Sequence, residues 1–406
     1  MKIFKLMAIA LVAMLGFSAC EKDCDHDFIE VDHSADLVGT WTCFTANYAE
    51  ALVIKADGSV VSTGVEDGEY WDGVKGNIKT VNNKMTLTFE DGDNYEGRFE
   101  MLSGEAFTIF DENGKHLTYR YCANDLADEI VGMWISMDKA FGNEEESVII
   151  FTYDENGKTY FTGFAPEIDG YFTQAESNYK IIGDLKISSM KGDSNMPTKY
   201  MVNRINIIPN GTEYGDIMTT HDMTYGTTPT FLRIKQTLDL QGMKYDYIKT
   251  FVTNVKGLDK DINFMGFEFN FAKMDGVKLD KMLKTLLFAV EFPTADSIKY
   301  SCHYNGEYMA LTAPIAVDGN KMTVKMSDKD AAYKDVDLYT FQDADCSQMH
   351  MYMPTYAFIN FFGNMQATMM SQMGQLDLTN AEAVKAVFDS IDEAVETINV
   401  SFVMSK

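Results

Sequence analysis

The chain has 406 residues, and its 34 lysines and arginines against 61 aspartates and glutamates give a formal net charge of −27 at pH 7. Hydrophobic residues make up 46% and aromatic residues 13% of the chain, which excludes a disordered or fibrous protein and allows a large buried core. The length predicts two or three domains, and a surface this acidic repels phosphate backbones, so no nucleic acid is expected among the partners.

Residues 1–19 have the order of a secretory signal peptide: lysines first, then an apolar run at 6–17, then two small residues before Cys20. The apolar run is too short to span a bilayer as a permanent helix. The ending Phe17-Ser18-Ala19-Cys20 resembles the lipobox of bacterial lipoproteins, although Phe17 stands where that pattern usually has Leu. The resemblance implies removal of the signal, lipidation of Cys20 and anchoring in outer-membrane lipid. An ordinary signal peptide with an incidental Cys20 is the alternative.

Residues 20–35 form a charged tether without apolar periodicity. Acidic residues directly behind the lipidated cysteine, at Glu21, Asp23 and Asp25, resemble the surface-export signal of lipoproteins from the Bacteroides group. The resemblance implies a protein exposed on the cell surface. A plain solvated spacer, with the protein facing the periplasm, is the alternative.

A five-residue pattern opens two successive segments of the chain. The copies are Leu37-Val38-Gly39-Thr40-Trp41 and Ile130-Val131-Gly132-Met133-Trp134. About ninety residues separate them, which is the length of one small β domain and too long for one repeat of a solenoid. Residues 36–125 and 129–254 are therefore predicted to be two related β modules.

Short strands at hairpin spacing follow the first tryptophan. The predicted strands are Ala51–Lys55, Ser59–Thr63, Ile78–Val81, Lys84–Phe89, Tyr95–Leu102, Ala106–Phe110 and Leu117–Cys122. Glycine after Asp or Asn in several connecting turns supplies the positive φ that a tight hairpin needs. Because such a meander must hide its edge strands, closure into an antiparallel barrel is predicted. The second module is less regular, and its strands cannot be counted from the sequence.

The G-x-W pattern that ends at Trp41, with Arg120 on the last predicted strand, resembles the lipocalin or calycin pattern. In that family the tryptophan plugs the closed end of the barrel and the arginine packs across it. The resemblance therefore implies barrel-closing roles for Trp41, Arg120 and, in the second module, Trp134. Arg204 and Arg233 are both candidates for the arginine of the second module.

The cysteines favour an oxidising compartment. Apart from Cys20 they are Cys24, Cys43, Cys122, Cys302 and Cys346. The odd number leaves at least one unpaired, most simply the one in the tether. The possible disulfides are Cys43–Cys122 and Cys302–Cys346. Residues two apart on a strand share a face, so Cys43 points with Trp41 and Cys122 with Arg120, and a bond between the two cysteines would seal the barrel seam. Buried free thiols are the alternative.

The pattern changes near residue 255, and residues 255–406 are predicted to be an α+β domain. Apolar spacing predicts helices at Val277–Val290, Tyr356–Met373 and Ala381–Thr397, and alternation predicts strands at Ile298–Tyr304, Glu307–Leu311, Lys321–Met326, Val336–Phe341, Met349–Met353 and Val400–Met404. Thr379 and Glu382 are predicted to form a capping box on the last helix. The expected fold class is thus mainly β: two calycin-like barrels followed by a sheet covered by helices.

The sequence carries few motifs of catalysis or metal binding. The sequence lacks G-x-S-x-G, H-E-x-x-H, G-x-x-x-x-G-K and G-x-G-x-x-G, and its histidines show no helical metal spacing, so no catalytic residue, metal ligand or cofactor is predicted. Tyr70 and Trp71 are a possible ligand-contacting pair, for stacking on a sugar or lining a cavity. Neighbouring strand residues face opposite ways, so only one of the two can point into a barrel. Ordinary packing is the alternative for this pair.

Calycin-like barrels enclose a cavity at one mouth, and mostly apolar pockets hold small ligands. The resemblance therefore favours a membrane-anchored surface lipoprotein that binds a small apolar molecule or a glycan without catalysis. A structural or adhesive surface protein with filled barrels is the first alternative, and a glycan-active enzyme with two carboxylates is the second. A filled barrel interior would favour the structural alternative.

Overall fold

The computed structural model describes residues 32–111, 114–139, 146–165, 170–190, 198–212, 215–223, 226, 230–234, 238–264, 267–273, 287–304, 307–326, 333–342 and 346–406. In these ranges the protein is mainly β, with three closed barrels of eight strands each and two α-helices near the C-terminus. The predicted signal peptide, Cys20 and the tether as far as residue 31 lie outside the described residues. Among the described residues, no helix has both the length and the apolarity needed to cross a bilayer.

The first barrel is the predicted up-and-down meander. Its strands are β1 Gly39–Phe44, β2 Tyr48–Ile54, β3 Ser59–Glu66, β4 Glu69–Val81, β5 Lys84–Phe89, β6 Asn94–Ser103, β7 Ala106–Phe110 and β8 His116–Cys122. Each strand pairs with the next, and β8 closes on β1 with Trp41 opposite Tyr121. This closed ring confirms the predicted barrel. The sequence could predict it because alternating side chains and hairpin turns specify such a meander locally.

The second barrel follows the second tryptophan. Its strands are β9 Gly132–Lys139, β10 Glu146–Tyr153, β11 Lys158–Ala165, β12 Gly170–Ile182, β13 Leu185–Met190, β14 Lys199–Thr212, β15 Gly215–Asp222 and β16 Thr230–Ile234. Strand β9 pairs with both β10 and β16, which closes the ring. The predicted module boundary at 254 lies too far along the chain, because the strand that begins at Lys244 pairs with strands of the third barrel.

The C-terminal part is a third closed barrel, where the sequence predicted a sheet covered by helices. Its strands are β17 Lys244–Gly257, β20 Leu287–Thr294, β21 Ser297–Tyr304, β22 Glu307–Asp318, β23 Lys321–Val324, β24 Val336–Gln342, β25 Gln348–Met353 and β26 Val395–Ser405. The last strand, β26, pairs with β17 and so closes the ring. A separate hairpin consists of β18 Asp261–Phe264 and β19 Phe267–Asn270.

The predicted helix Val277–Val290 is wrong in the part that the structure describes. Residues from Leu287 onward belong to β20, which pairs with β17 and β21, and residues 274–286 lie outside the described ranges. The apolar positions of this segment fit a helical spacing, but a short apolar run also fits a buried strand, and here strand pairing decides the structure.

Two helices pack together beside the third barrel, as predicted. They are α1 Thr355–Gln372 and α2 Ala381–Asp392. The predicted capping box is wrong, since Asn380 is the N-cap and its side-chain oxygen accepts from the Ala383 amide at 3.1 Å. Gly363 lets the helices approach closely, because a Cβ there would lie 2.4 Å from the Phe388 ring. The predicted end at Thr397 is also wrong, because β26 begins at Val395.

Contacts group the chain into two compact units. The first comprises the described residues of Met1–Ile130, Asn178–Ile208 and Met218–Thr230, and the second comprises those of Val131–Ser177, Pro209–Ile217 and Phe231–Lys406. The core of the first unit fills the first barrel around Trp41, Phe99 and Phe107. The core of the second unit fills the third barrel and extends under α1 and α2.

Candidate functional site

Trp41 lies in the core of the first barrel and is completely buried. Its indole Nε1 donates to the Leu37 carbonyl at 2.7 Å, in the short 3-10 helix Ser34–Leu37 that precedes β1. Tyr121 lies edge-on to the indole, with ring centroids 5.2 Å apart. The expected barrel-closing role of Arg120 is wrong, because the register pairs Arg120 with Thr42 and leaves its side chain exposed. Tyr121 therefore covers Trp41 instead.

The same register separates the two cysteines of the first possible disulfide. Cys122 pairs with Thr40, while Cys43 points into the barrel core with Trp41. Cys43, Cys122 and Cys346 are free thiols, so the structure has the alternative arrangement and neither possible disulfide forms. The side chain of Cys302 lies outside the described ones. Burial raises the pKa of Cys43 to about 12, and the nearby Glu50 charge acts in the same direction.

In the second barrel, Arg233 is the arginine that packs across the tryptophan. Its guanidinium lies 4.3 Å from the Trp134 ring centroid and donates to the Val131 carbonyl at 2.6 Å. The Asp216 carboxylate holds the guanidinium at 2.9 Å. Arg204, the other candidate, instead pairs with Asp184 at 2.9 Å in the first unit.

A carboxyl group lies in the interior of the first barrel, toward the end opposite Leu37. Glu50 is 6% exposed and accepts hydrogen bonds from Tyr48 at 2.6 Å, from Ser62 at 2.5 Å and from Tyr119. Burial raises the pKa of Glu50, and the three hydroxyl donors act in the opposite direction. The carboxyl is thus satisfied by neighbouring hydroxyls and is not arranged beside a second group for acid–base catalysis.

Tyr70 and Trp71 face opposite sides of the barrel wall. Trp71 points inward, where its Nε1 donates to Ser62 at 2.7 Å and its ring covers Gly64, whose Cβ would lie 2.4 Å from the indole. Tyr70 points outward and stacks on Tyr200, with centroids 4.6 Å apart and an interplanar angle of 21°. The register shift between Ser62 and Gly64 is a β-bulge, which re-aims this end of β4.

Polar groups flank the outward tyrosine pair. Asp72 and Lys180 are exposed and form an ion pair beside the rings, and Thr63 donates to Asp72 at 3.2 Å. The hydrogen bond from Lys180 lowers the pKa of Asp72. Burial, together with the Asp72 charge, raises the pKa of Tyr70 to about 12, so the phenol stays neutral. We call Tyr70, Asp72, Lys180 and Tyr200 the outer-wall site.

The outer-wall site combines two partly buried aromatic rings with a donor and an acceptor of opposite charge. Such a surface can bind a partner by stacking and hydrogen bonding but holds no nucleophile or paired acid and base. Within the described residues, no group of three or more His, Cys, Asp or Glu side chains is arranged to hold a metal ion.

Sequence reasoning missed Glu50 and Tyr200. Glu50 lies two residues from Tyr48 and two from Leu52 on β2, so the alternation that predicts the strand also places a carboxyl inside the barrel. Tyr200 carries no comparable signal, because its proximity to Tyr70 arises only from packing within the first unit.

No family model and no curated protein matches the sequence. Two solved structures are similar over 88% of this chain and 65% of their own length, so the chain spans less than two thirds of either. One is a double mutant of Transferrin Binding Protein B from Haemophilus parasuis Hp5, with 12% identity and a TM-score of 0.21. The other is isotype 1 Transferrin binding protein B from serogroup B Neisseria meningitidis, with 9% identity and a TM-score of 0.19. Similarity at this level assigns no function.

Proposed function

We propose that the chain is a lipid-anchored, non-catalytic binding protein of the bacterial outer-membrane surface, and that it binds a neutral glycan at the outer-wall site. The lipobox-like segment ending at Cys20 and the acidic tether support the location. The half-buried aromatic pair on the outside of the first barrel, with the exposed ion pair beside it, carries the binding assignment.

The filled interior argues against a small apolar ligand inside the first barrel. Trp41, Met85, Phe99, Phe107 and Tyr119 occupy the interior and are almost completely buried. Pockets for small ligands usually measure about 300–1,000 Å³ and are lined by side chains with open space between them. The same filled interior fits a structural or adhesive role. The experiments below separate that alternative from glycan binding.

Charge and chemistry together favour a neutral glycan. A sugar ring presents an apolar C–H face to an aromatic ring, and its hydroxyls act as both donors and acceptors. In the outer-wall site, Tyr70 and Tyr200 can stack on the C–H face of a sugar ring. Asp72 can accept hydrogen bonds from the sugar's hydroxyls, and Lys180 can donate to them. The net charge of −27 repels anionic polysaccharides at low salt.

Affinity electrophoresis tests the glycan proposal. The soluble chain from residue 21 is run through native gels that contain dextran, xylan or glycogen, beside Tyr70→Ala and Tyr200→Ala variants. Truncating a central aromatic contact is expected to weaken binding about tenfold or more. Tyr308→Ala is the matched control, because Tyr308 is 58% exposed on the third barrel. Absence of retardation by all three polysaccharides, or equal retardation of Tyr70→Ala and wild type, contradicts the glycan assignment.

Two further measurements separate the alternatives. Native mass spectrometry of the soluble chain from residue 21, purified gently from its source, beside a denatured control, is expected to give the mass of the polypeptide alone. An extra mass lost on denaturation points to an interior ligand instead. Cys20→Ser is expected to move the full chain from the detergent phase to the aqueous phase, and an unchanged partition argues against lipidation of Cys20.

A further inference from the structure

A small cavity lies in the second unit, where strands of the second barrel meet strands of the third. Its volume is about 10 Å³, room for one water molecule. The polar side chains around it are Thr152, Tyr160, Thr162, Tyr339, His350 and Tyr352. Strands β10 and β11 supply the first three, and β24 and β25 supply the others. We call this the His350 cavity.

Three tyrosines around the cavity form the contact between strands β10–β11 of the second barrel and strands β24–β25 of the third. The Tyr160 ring lies 4.7 Å from that of Tyr352 and 5.3 Å from that of Tyr339, and all three are buried. The Tyr160 hydroxyl donates to Asp154 at 2.7 Å, and the Tyr352 hydroxyl donates to Asn399 at 3.0 Å. These hydroxyl protons are therefore already committed to acceptors outside the cavity.

His350 differs from these tyrosines because its Nε2 has no hydrogen-bond partner among the described residues. The residue is 5% exposed and lines the cavity. A buried imidazole nitrogen without a partner is unfavourable, and a water in the cavity would supply one. Burial lowers the pKa of His350 to about 3.

The surroundings of His350 explain why it stays neutral. Tyr339 on β24, Tyr160 on β11 and Tyr352 on β25 are the titratable groups that line the cavity, and each has its pKa raised by burial. Strands β9, β10 and β26 present Met133, Ile150, Thr152 and Val403, none of which is charged. The charged groups behind the tyrosines are Asp154, Glu155, Lys158, Glu176, Lys321 and Asp337.

We propose that His350 makes this contact acid-sensitive: the neutral imidazole binds one water in the cavity while the contact is closed, and protonation opens the contact between β10–β11 and β24–β25. An imidazolium needs solvation that a cavity for one water cannot provide. Opening exposes Tyr160 and Tyr352, so a protein at the cell surface would present new aromatic surface when its surroundings become acidic.

The sign and size of the effect follow from linkage. The closed form binds a proton less readily than an open form with an ordinary histidine, so stability of the contact is lost as the pH falls below about 6.5. With a closed-form pKa of about 3, the open population is expected to rise about 25-fold between pH 7 and pH 5.

Hydrogen exchange of the soluble chain from residue 21 tests the proposal. Protection factors, corrected for the intrinsic pH dependence of exchange, are compared at pH 7 and pH 5 for the segments Glu146–Tyr153 and Gln348–Met353. We expect about a 25-fold loss of protection in wild type and in the control His116→Gln, whose histidine is exposed. His350→Gln should lose less than about threefold. An equal loss in wild type and His350→Gln, or no loss in wild type, overturns the proposal.

A second measurement keeps the proposal testable if His350→Gln does not fold. Histidine Cε1 signals of the wild-type chain are followed by NMR between pH 8 and pH 5. The chain has six histidines, and we expect one signal of the closed form that does not shift over this range. Titration of all six near pH 6.5, with the segments still protected, overturns the proposal.

Discussion

Replacing Glu50 by glutamine is expected to destabilise the first barrel. The carboxyl accepts three hydroxyl hydrogen bonds from Tyr48, Ser62 and Tyr119, and all three donors are almost completely buried. Glutamine can place its oxygen where Oε2 accepts from Tyr48 and Tyr119, which leaves the Ser62 hydroxyl facing an NH₂ group. A buried donor that loses its acceptor costs about 1–3 kcal/mol, so this one loss predicts about 1–3 kcal/mol.

The pH dependence of Glu50→Gln gives a second readout. Burial raises the pKa of Glu50 in the folded chain. The folded state therefore binds the proton more tightly than the unfolded state, and the stability this confers is present at low pH and is lost as the pH rises through the raised pKa. Glutamine does not titrate. The destabilisation by Glu50→Gln is thus expected to be larger at acidic than at alkaline pH.

The assay must resolve the first barrel, because three barrels need not unfold together. Guanidinium unfolding is read by pulsed hydrogen exchange in Tyr48–Ile54 and Ser59–Glu66. Glu96→Gln is the matched control, since Glu96 is exposed on a strand of the same barrel. A stability of Glu50→Gln within about 0.5 kcal/mol of the control would refute the claim that the hydroxyls depend on this carboxyl.

Three further outcomes are expected, for Gly39, Arg233 and Cys43. Gly39→Ala should destabilise the first barrel by about 1–3 kcal/mol in denaturant melts, because φ is +136° and the new Cβ would lie 2.5 Å from the Tyr121 ring. Arg233→Lys should reduce hydrogen-exchange protection of β9 by about 2 kcal/mol, because lysine cannot stack on Trp134 and also bind both Asp216 and the Val131 carbonyl. Unchanged protection would contradict this. Iodoacetamide at pH 8 should leave Cys43 unmodified in the native chain and modify it after denaturation without reductant, whereas continued resistance would indicate a disulfide.

Local signals in the sequence predicted the barrel modules. The G-x-W pattern placed Trp41 and Trp134 at the starts of two barrels, and the alternation and hairpin turns of the first module predicted its strands. Both tryptophans are completely buried in the structure. These features are readable from one chain because a hairpin is specified by neighbouring residues, whose side chains alternate between two faces.

The closure of the third barrel could not be predicted from local pattern. Strand β26 pairs with β17 across almost the whole third part of the chain, and helical spacing at 277–290 is compatible with a strand. The strand register of the first barrel could not be predicted from local pattern either. It placed Tyr121 opposite Trp41 and turned Arg120 outward. A shift of one residue reverses every face of a strand, and no sequence signal fixed that shift here.

The sequence by itself determined the tandem β modules and the acidic surface, because these depend on composition and on residues near one another in the chain. Only the tertiary structure decided that the first barrel is filled, that Tyr70 stacks on Tyr200, and that His350 lines a cavity with Tyr160. Those contacts join residues far apart in sequence, and their burial and pKa depend on every element packed around them.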